Sequence, residues 1–158
     1  MDFTLLSAVL ALLPILGYCC SNPFVEVGSR CLFFGITLSL DYNGAQQTCL
    51  NINGQLAKID QPQQLWNITQ YIHNDSTLYS SYWIDGSKVQ DDWLYSDGEI
   101  IPLGTPYWAT FMNANQDYGQ HPVDQPGANC VSMRGETYFF FTSNNCEELY
   151  SPLCEENE

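Results

Sequence analysis

The stretch DYNGAQQTCLNINGQLAKI, residues 41–59, carries the reading from which the rest of the chain is placed. Tyr42, Ala45, Cys49 and Ile52 recur at helical spacing, so the pattern predicts a helix from about Tyr42 to Ile52. Asp41 can cap its start and Asn53-Gly54 can end it, while Asn43-Gly44 weakens the first turn. A second helix follows from about Gln61 to His73. Asp60 and Gln63 are spaced as a capping box, Pro62 suits a first turn, and Leu65, Ile68 and Ile72 fall on one face. Past Asn74 the helical period stops. Short aromatic and β-branched runs replace it at Tyr82 to Ile84, Trp93 to Tyr95, Asn129 to Met133, Tyr138 to Thr142 and Ser151 to Glu155. Helices first and strands later predict an α+β domain.

Composition narrows the class. The chain has 158 residues, 18 acidic against 4 basic side chains, and a net charge of −14. That excess repels nucleic acid and anionic membrane surfaces. With 45% hydrophobic and 14% aromatic residues, the chain has material for a core and is not a disordered one. Seven cysteines point to an oxidising compartment. Residues 3–18, FTLLSAVLALLPILGY, form an apolar run too short to span a bilayer comfortably, which reads as a secretory signal and not as stable membrane insertion. Gly17 and Cys19 are small residues placed for a cut before Cys20. This gives a signal peptide over 1–19 and one domain over 20–158 with six cysteines; a competing cut after Gly17 would leave Cys19 as a spare thiol.

The order of motifs resembles the C-type lectin-like domain family in its secreted, single-domain long form. CSNPFVEVGSRCLFF from Cys20 resembles the family's N-terminal hairpin, and Tyr42, Ala45 and Cys49 its first helix. GQLAKI (54–59), WIDG (83–86), WLYSDG (93–98), NCVSM (129–133) and PLCE (152–155) follow in the family's order. The resemblance implies two helices packed on antiparallel sheets with a long loop region. It also implies three bridges, Cys20–Cys31, Cys49–Cys154 and Cys130–Cys146, out of the fifteen pairings that six cysteines allow.

In sugar-binding members of that family, a calcium ion and the sugar share one set of carboxylates and amides. Here the matching positions are His121-Pro122-Val123, Ala128, and Phe141-Thr142-Ser143. Calcium wants six to eight oxygens and compensating negative charge, and valine and alanine supply neither. The family's default cofactor is therefore not expected, nor is zinc at His121, since the cysteines are committed to bridges. Gln125-Pro126-Gly127 resembles a sugar-site triplet but stands too close to Cys130, as Asn144-Asn145 stand too close to Cys146. Asp117 and Asp124 offer oxygens elsewhere in the loop.

The long loop, Leu103 to Ala128, is the expected binding surface. Trp108, Tyr118, Gln120, His121, Val123, Asn129, Thr142 and Ser143 are the candidate ligand-binding residues, since aromatic faces stack on sugars and amides bond hydroxyls without a metal. Trp108 and Phe111 have an alternative reading as core beneath the loop, which for Trp108 is the preferred one. Asn67-Ile68-Thr69 and Asn74-Asp75-Ser76 are glycosylation sequons, Asn74 being the better acceptor. No nucleophile–base pair, phosphate loop or zinc spacing suggests an enzyme. The expected function is secreted carbohydrate recognition in innate immunity, independent of calcium. A protein-binding domain without sugar binding, or an acidic matrix- or mineral-associated protein, are the alternatives. The partners are glycans or a protein ligand, and the oligomeric state stays open.

Overall fold

The computed structural model describes residues 20–104, 106–113 and 115–157; the expected signal segment lies outside them. The N-terminal hairpin is β1 (Val25–Val27) and β2 (Arg30–Phe34). Helix α1 spans Tyr42–Asn51. The Asp41 carboxylate accepts from the Gly44 N–H at 2.7 Å, which supplies an acceptor for one of the first turn's free donors. Tyr42, Ala45 and Cys49 are its buried face, as their spacing predicts, and Asn53 leaves the helix at φ 62°. β3 (Gly54–Leu56) follows, and Ala57 and Ile59 beyond it are fully buried.

Helix α2 spans Pro62–Asn74 and buries Leu65, Ile68 and Ile72, each worth about 1.5–3 kcal/mol of apolar burial. Its cap differs from the Asp60/Gln63 pair expected from sequence. Gln64, not Gln63, turns back, and its Oε1 accepts from the N–H groups of Asp60 (3.0 Å) and Gln61 (3.2 Å). With Pro62 opening the helix, Gln61 is the capping residue, which moves the box one residue along the chain.

The remaining strands are β4 (Tyr82–Val89), β5 (Asp92–Leu94), β6 (Thr110–Met112), β7 (Tyr118–Gln120), β8 (Cys130–Met133), β9 (Phe141–Asn144) and β10 (Ser151–Glu156). The main sheet runs β1-β2-β10-β4-β8-β9, with β3 also on β10 and β5 also on β4; β6 and β7 form a separate hairpin. The expectation of antiparallel sheets needs one correction. β10 lies parallel to β4, with Ser151 opposite Tyr82 and Pro152 opposite Trp83, because the chain returns from the far side of the sheet to enter its centre. A second correction concerns Tyr138 to Thr142. Tyr138 and Phe139 take left-handed backbone (φ 54° and 63°), and the strand begins only at Phe141. The turn buries Phe139 completely, edge-on to His73 and Tyr79.

Trp83 sits at the junction of helix and sheet. It is fully buried, its Nε1 donates to the Leu40 carbonyl (2.8 Å), and Tyr42 meets it edge-on at 5.4 Å. The Tyr42 hydroxyl in turn accepts from the Gly86 N–H at 3.1 Å. Gly86 has φ 142°, and a Cβ there would stand 2.5 Å from Ile101, so the position requires glycine. Asp85, 4% exposed, accepts from both the N–H and the hydroxyl of Ser96; burial pushes its carboxyl up and these bonds oppose the shift. The disulfides are Cys20–Cys31, Cys49–Cys154 and Cys130–Cys146.

All four basic side chains are in ion pairs: Arg30 with Glu155, Lys58 with Asp97 and Glu99, Lys88 with Asp124, and Arg134 with Glu136.

Candidate functional site

The long loop starts as core. Trp108 is 1% exposed, packs on Trp93 (5.3 Å) and Phe141 (5.8 Å), and donates its Nε1–H to the Pro102 carbonyl. It has no face for a ligand, which corrects its place among the candidates. The Phe141 N–H donates to the Tyr107 carbonyl (2.7 Å) and the Ala109 N–H to the Phe141 carbonyl (2.9 Å), so the loop enters bonded to β9.

The chain then rises into the β6–β7 hairpin, where Phe111 faces Gly119 and Met112 faces Tyr118. Alternation puts these pairs on opposite sides of the hairpin. A Cβ on Gly119 would lie 2.5 Å from the Phe111 ring, so the missing side chain is the seat for that ring. Phe111 stands edge-on to His121 at 5.3 Å, and both line a cleft of about 360 Å³. Tyr118 is 83% exposed on the hairpin's other side, and the Gln120 amide donates to the Trp108 carbonyl (3.1 Å), so neither lines this cleft.

His121 is fixed on two sides. Its N–H donates to the Ala109 carbonyl (2.9 Å), and the His121–Pro122 peptide is cis. Its Nδ1 accepts from the Ser143 N–H and lies 3.1 Å from the Ser143 hydroxyl, which also accepts from the Val123 N–H (2.8 Å). An N–H donor at Nδ1 needs an unprotonated nitrogen, so the neutral ring carries its proton on Nε2. Burial holds the His121 pKa below its ordinary value, and the Arg134 charge adds to this. Ser143, 3% exposed, thus clamps the loop to β9 through both sides of Pro122.

Beneath the cleft lies a buried polar chain. Asn144 Oδ1 accepts from Ser132 (2.8 Å) and Thr142 (2.7 Å), and its Nδ2 donates to the Tyr150 hydroxyl (3.2 Å). Tyr150 donates to Glu148; burial, then this carboxylate, pushes the phenol well up. Thr142 is 1% exposed and spent in that chain, so it does not face a ligand, a second correction to the candidates. Asn129 is exposed but lines a different depression, beside Tyr42 and Lys88. Of the eight candidates the structure therefore gathers His121, Val123 and Ser143.

Several cleft residues were not among the candidates. Gln125, Arg134, Asn144, Asn145 and Glu148 join Phe111 in the lining. Gln125-Pro126 and Asn144-Asn145, wrongly spaced as metal motifs, are nonetheless at the cleft as neutral hydrogen-bonding groups. No local signal in the sequence marks Arg134 and Glu148; the turns after β8 and β9 bring them in.

These residues do not fit calcium. Val123 and Ala128 have no side-chain oxygen, Thr142 is occupied, and the one lining carboxylate, Glu148, is bonded by Tyr150. Asp124 is paired with Lys88 at 3.2 Å. Among the described residues, one other cluster has metal-ligand spacing, Cys20, Cys31 and Glu156, and its disulfide leaves no thiolate. What the cleft offers is an apolar ring, neutral amides and a neutral imidazole donor beside the charged Arg134 and Glu148, a set suited to hydroxyl-rich ligands.

The sequons differ. Asn74 is exposed at the end of α2. Asn67 is half-buried mid-helix, accepts from Gln63 (2.9 Å), and its Nδ2 packs so closely on Gly28 that a Cβ there would lie 2.4 Å away.

Comparison with known proteins gives concordant results. The sequence model for the family described as Lectin C-type domain matches residues 38–156. The galactose-specific lectin nattectin of Thalassophryne nattereri is 28% identical, over 87% of this chain and 80% of its own. Among solved structures, the C-type lectin domain of murine dendritic cell inhibitory receptor 2, crystallised with an N-glycan, superposes with a TM-score of 0.68 at 17% identity, over 89% of this chain and all of that one. A calcium-independent type II antifreeze protein gives 0.65 at 19% identity, over 87% and 94%. At these identities the structural matches speak for the fold alone. No helix of the described residues is long and apolar enough to cross a membrane.

Proposed function

The chain belongs to the C-type lectin domain family, and from that premise we propose that it is a secreted lectin that takes glycan hydroxyls in the long-loop cleft without calcium, in a pattern-recognition role in innate immunity. One observation carries the calcium-independent part. Where sugar-binding relatives place metal-binding carboxylates, the His121–Ser143–Val123 hydrogen bonds hold the loop directly. Phe111 supplies a face for a sugar ring, and Nε2 of His121, Gln125 and Asn145 supply partners for hydroxyls. The apolar run at residues 3–18 and three disulfides support secretion. Asn74 is the proposed carrier of an N-glycan. No catalytic role is assigned.

A glycan array read first with calcium and then with EDTA tests this. Galactose is the first sugar to examine, given the relative's specificity. Binding that survives EDTA and is lost in Phe111→Ala supports the proposal. Binding that disappears with EDTA refutes it. A protein ligand is the second reading, favoured by Tyr118 (83% exposed) and Met112 (56%) on the hairpin's outer side. It becomes the better one if no glycan binds.

A further inference from the structure

The outer face of α2 is unlike the rest of this acidic molecule. Its thirteen residues, PQQLWNITQYIHN, include no Asp, Glu, Lys or Arg, in a chain of net charge −14. It carries Trp66, 60% exposed, whereas Trp83, Trp93 and Trp108 are at most 6% exposed. A cleft of about 550 Å³ opens beside the helix, lined by Gln61, Gln63, Gln64 and Asn67 and, across from them, Ser29 and Asn157. Charged groups line it too: Arg30 is paired with Glu155, and Glu156, which has no cation beside it among the described residues, accepts from the Ser21 N–H and leaves this wall acidic. Gln63 joins the two features, since it is a helical neighbour of both Asn67 (i+4), which it bonds at 2.9 Å, and Trp66 (i+3).

From the coincidence of an exposed indole, an uncharged face and an amide-lined cleft, we infer that α2 carries a second saccharide surface, separate from the long-loop cleft, that takes a neutral oligosaccharide. One sugar ring stacks on Trp66, and the amides of Gln61, Gln63 and Gln64 bond hydroxyls of the neighbouring residue in the cleft. The surrounding acidity favours a neutral ligand, because a sulfated or uronic chain would be repelled. The inference shares the lectin reading's ligand class but not its site.

Trp66 is also the reporter. As the one exposed tryptophan, it dominates acrylamide quenching of the indole fluorescence. The full secreted protein is titrated with lactose, mannotriose and chitotriose, each alone. A saturable loss of quenching with at least one of them, in wild type and in Phe111→Ala alike, is the expected result. Calorimetry on Trp66→Ala should then show the corresponding affinity weakened about tenfold or more while the long-loop binding stays. Three results overturn the inference: no probe changes the quenching, Phe111→Ala abolishes the change, or mass spectrometry finds a glycan on Asn67 filling the cleft. The first and third leave the long-loop proposal standing. Saccharide protection of Trp66 with no Phe111-dependent binding would instead sink that proposal and keep this one.

Discussion

Replacing Ser143 by Ala removes one oxygen and two restraints. The hydroxyl accepts from the Val123 N–H at 2.8 Å and lies 3.1 Å from His121 Nδ1. Ser143 is only 3% exposed, so water has little access to replace it. An amide left without its acceptor in such a place costs about 1–2 kcal/mol. The Ser143 N–H still holds the imidazole at 3.1 Å, so the ring keeps one of its bonds. The loss therefore falls on the chain after Pro122 and should show first as local opening. Amide hydrogen exchange is the assay. At about 1–2 kcal/mol the Val123 amide should exchange roughly 5- to 30-fold faster in the variant, with the β2 and β10 amides unchanged. EDTA should accelerate neither protein. Unchanged protection at Val123, or a large acceleration by EDTA in wild type, would refute the view that hydrogen bonds and not a metal hold this loop.

His121 gives a pH signature. Its folded pKa lies below the ordinary value, so the unfolded chain binds the proton first as pH falls. The contribution is complete above about pH 6.5 and is lost below it, through the lower folded value. Unfolding midpoints of wild type should drop more steeply than those of His121→Gln between pH 7.5 and 5; parallel curves would contradict this. Gly119→Ala puts a Cβ 2.5 Å from the Phe111 ring and should cost about 1–3 kcal/mol with loss of glycan affinity. In a Phe111→Ala background the same change should be close to neutral, and equal costs in the two backgrounds would disprove the seat. Removing both Cys49 and Cys154, 105 residues apart, should destabilise by about 4–5 kcal/mol in denaturant titration.

The helices were legible because one face of each must be apolar at a fixed period. Tyr42, Ala45 and Cys49, and Leu65, Ile68 and Ile72, are the buried residues of their helices. Tyr138 to Phe140 misled because an aromatic run has the same composition in a strand and in a turn that plunges one ring into the core. β6 and β7 were invisible: three-residue strands flanked by Asn, Gln and Asp carry no period to read. At the site, sequence named His121, Val123 and Ser143, which the fold brings to one cleft, and it read Val123 and Ala128 as side chains without oxygen. It could not foresee that Thr142 would be occupied from below by Asn144, or that Arg134 and Glu148 would arrive from separate turns, because those contacts exist only once β8 and β9 pair.

The position of β10 has a consequence in time. The strand at the heart of the sheet, bonded to β2, β3 and β4, is the last of these ten strands to leave the ribosome. Until it emerges the sheet has no middle, β2 and β4 have no common neighbour, and Cys49 has no Cys154. The nascent chain can close Cys20–Cys31 early, but Cys49 then waits unpaired, and Cys130 and Cys146, made just before Cys154, reach it first as wrong partners. Folding of this domain thus waits for β10, with long-range pairings that are slow to find. A host cell without disulfide isomerase should make the polypeptide yet accumulate it mispaired.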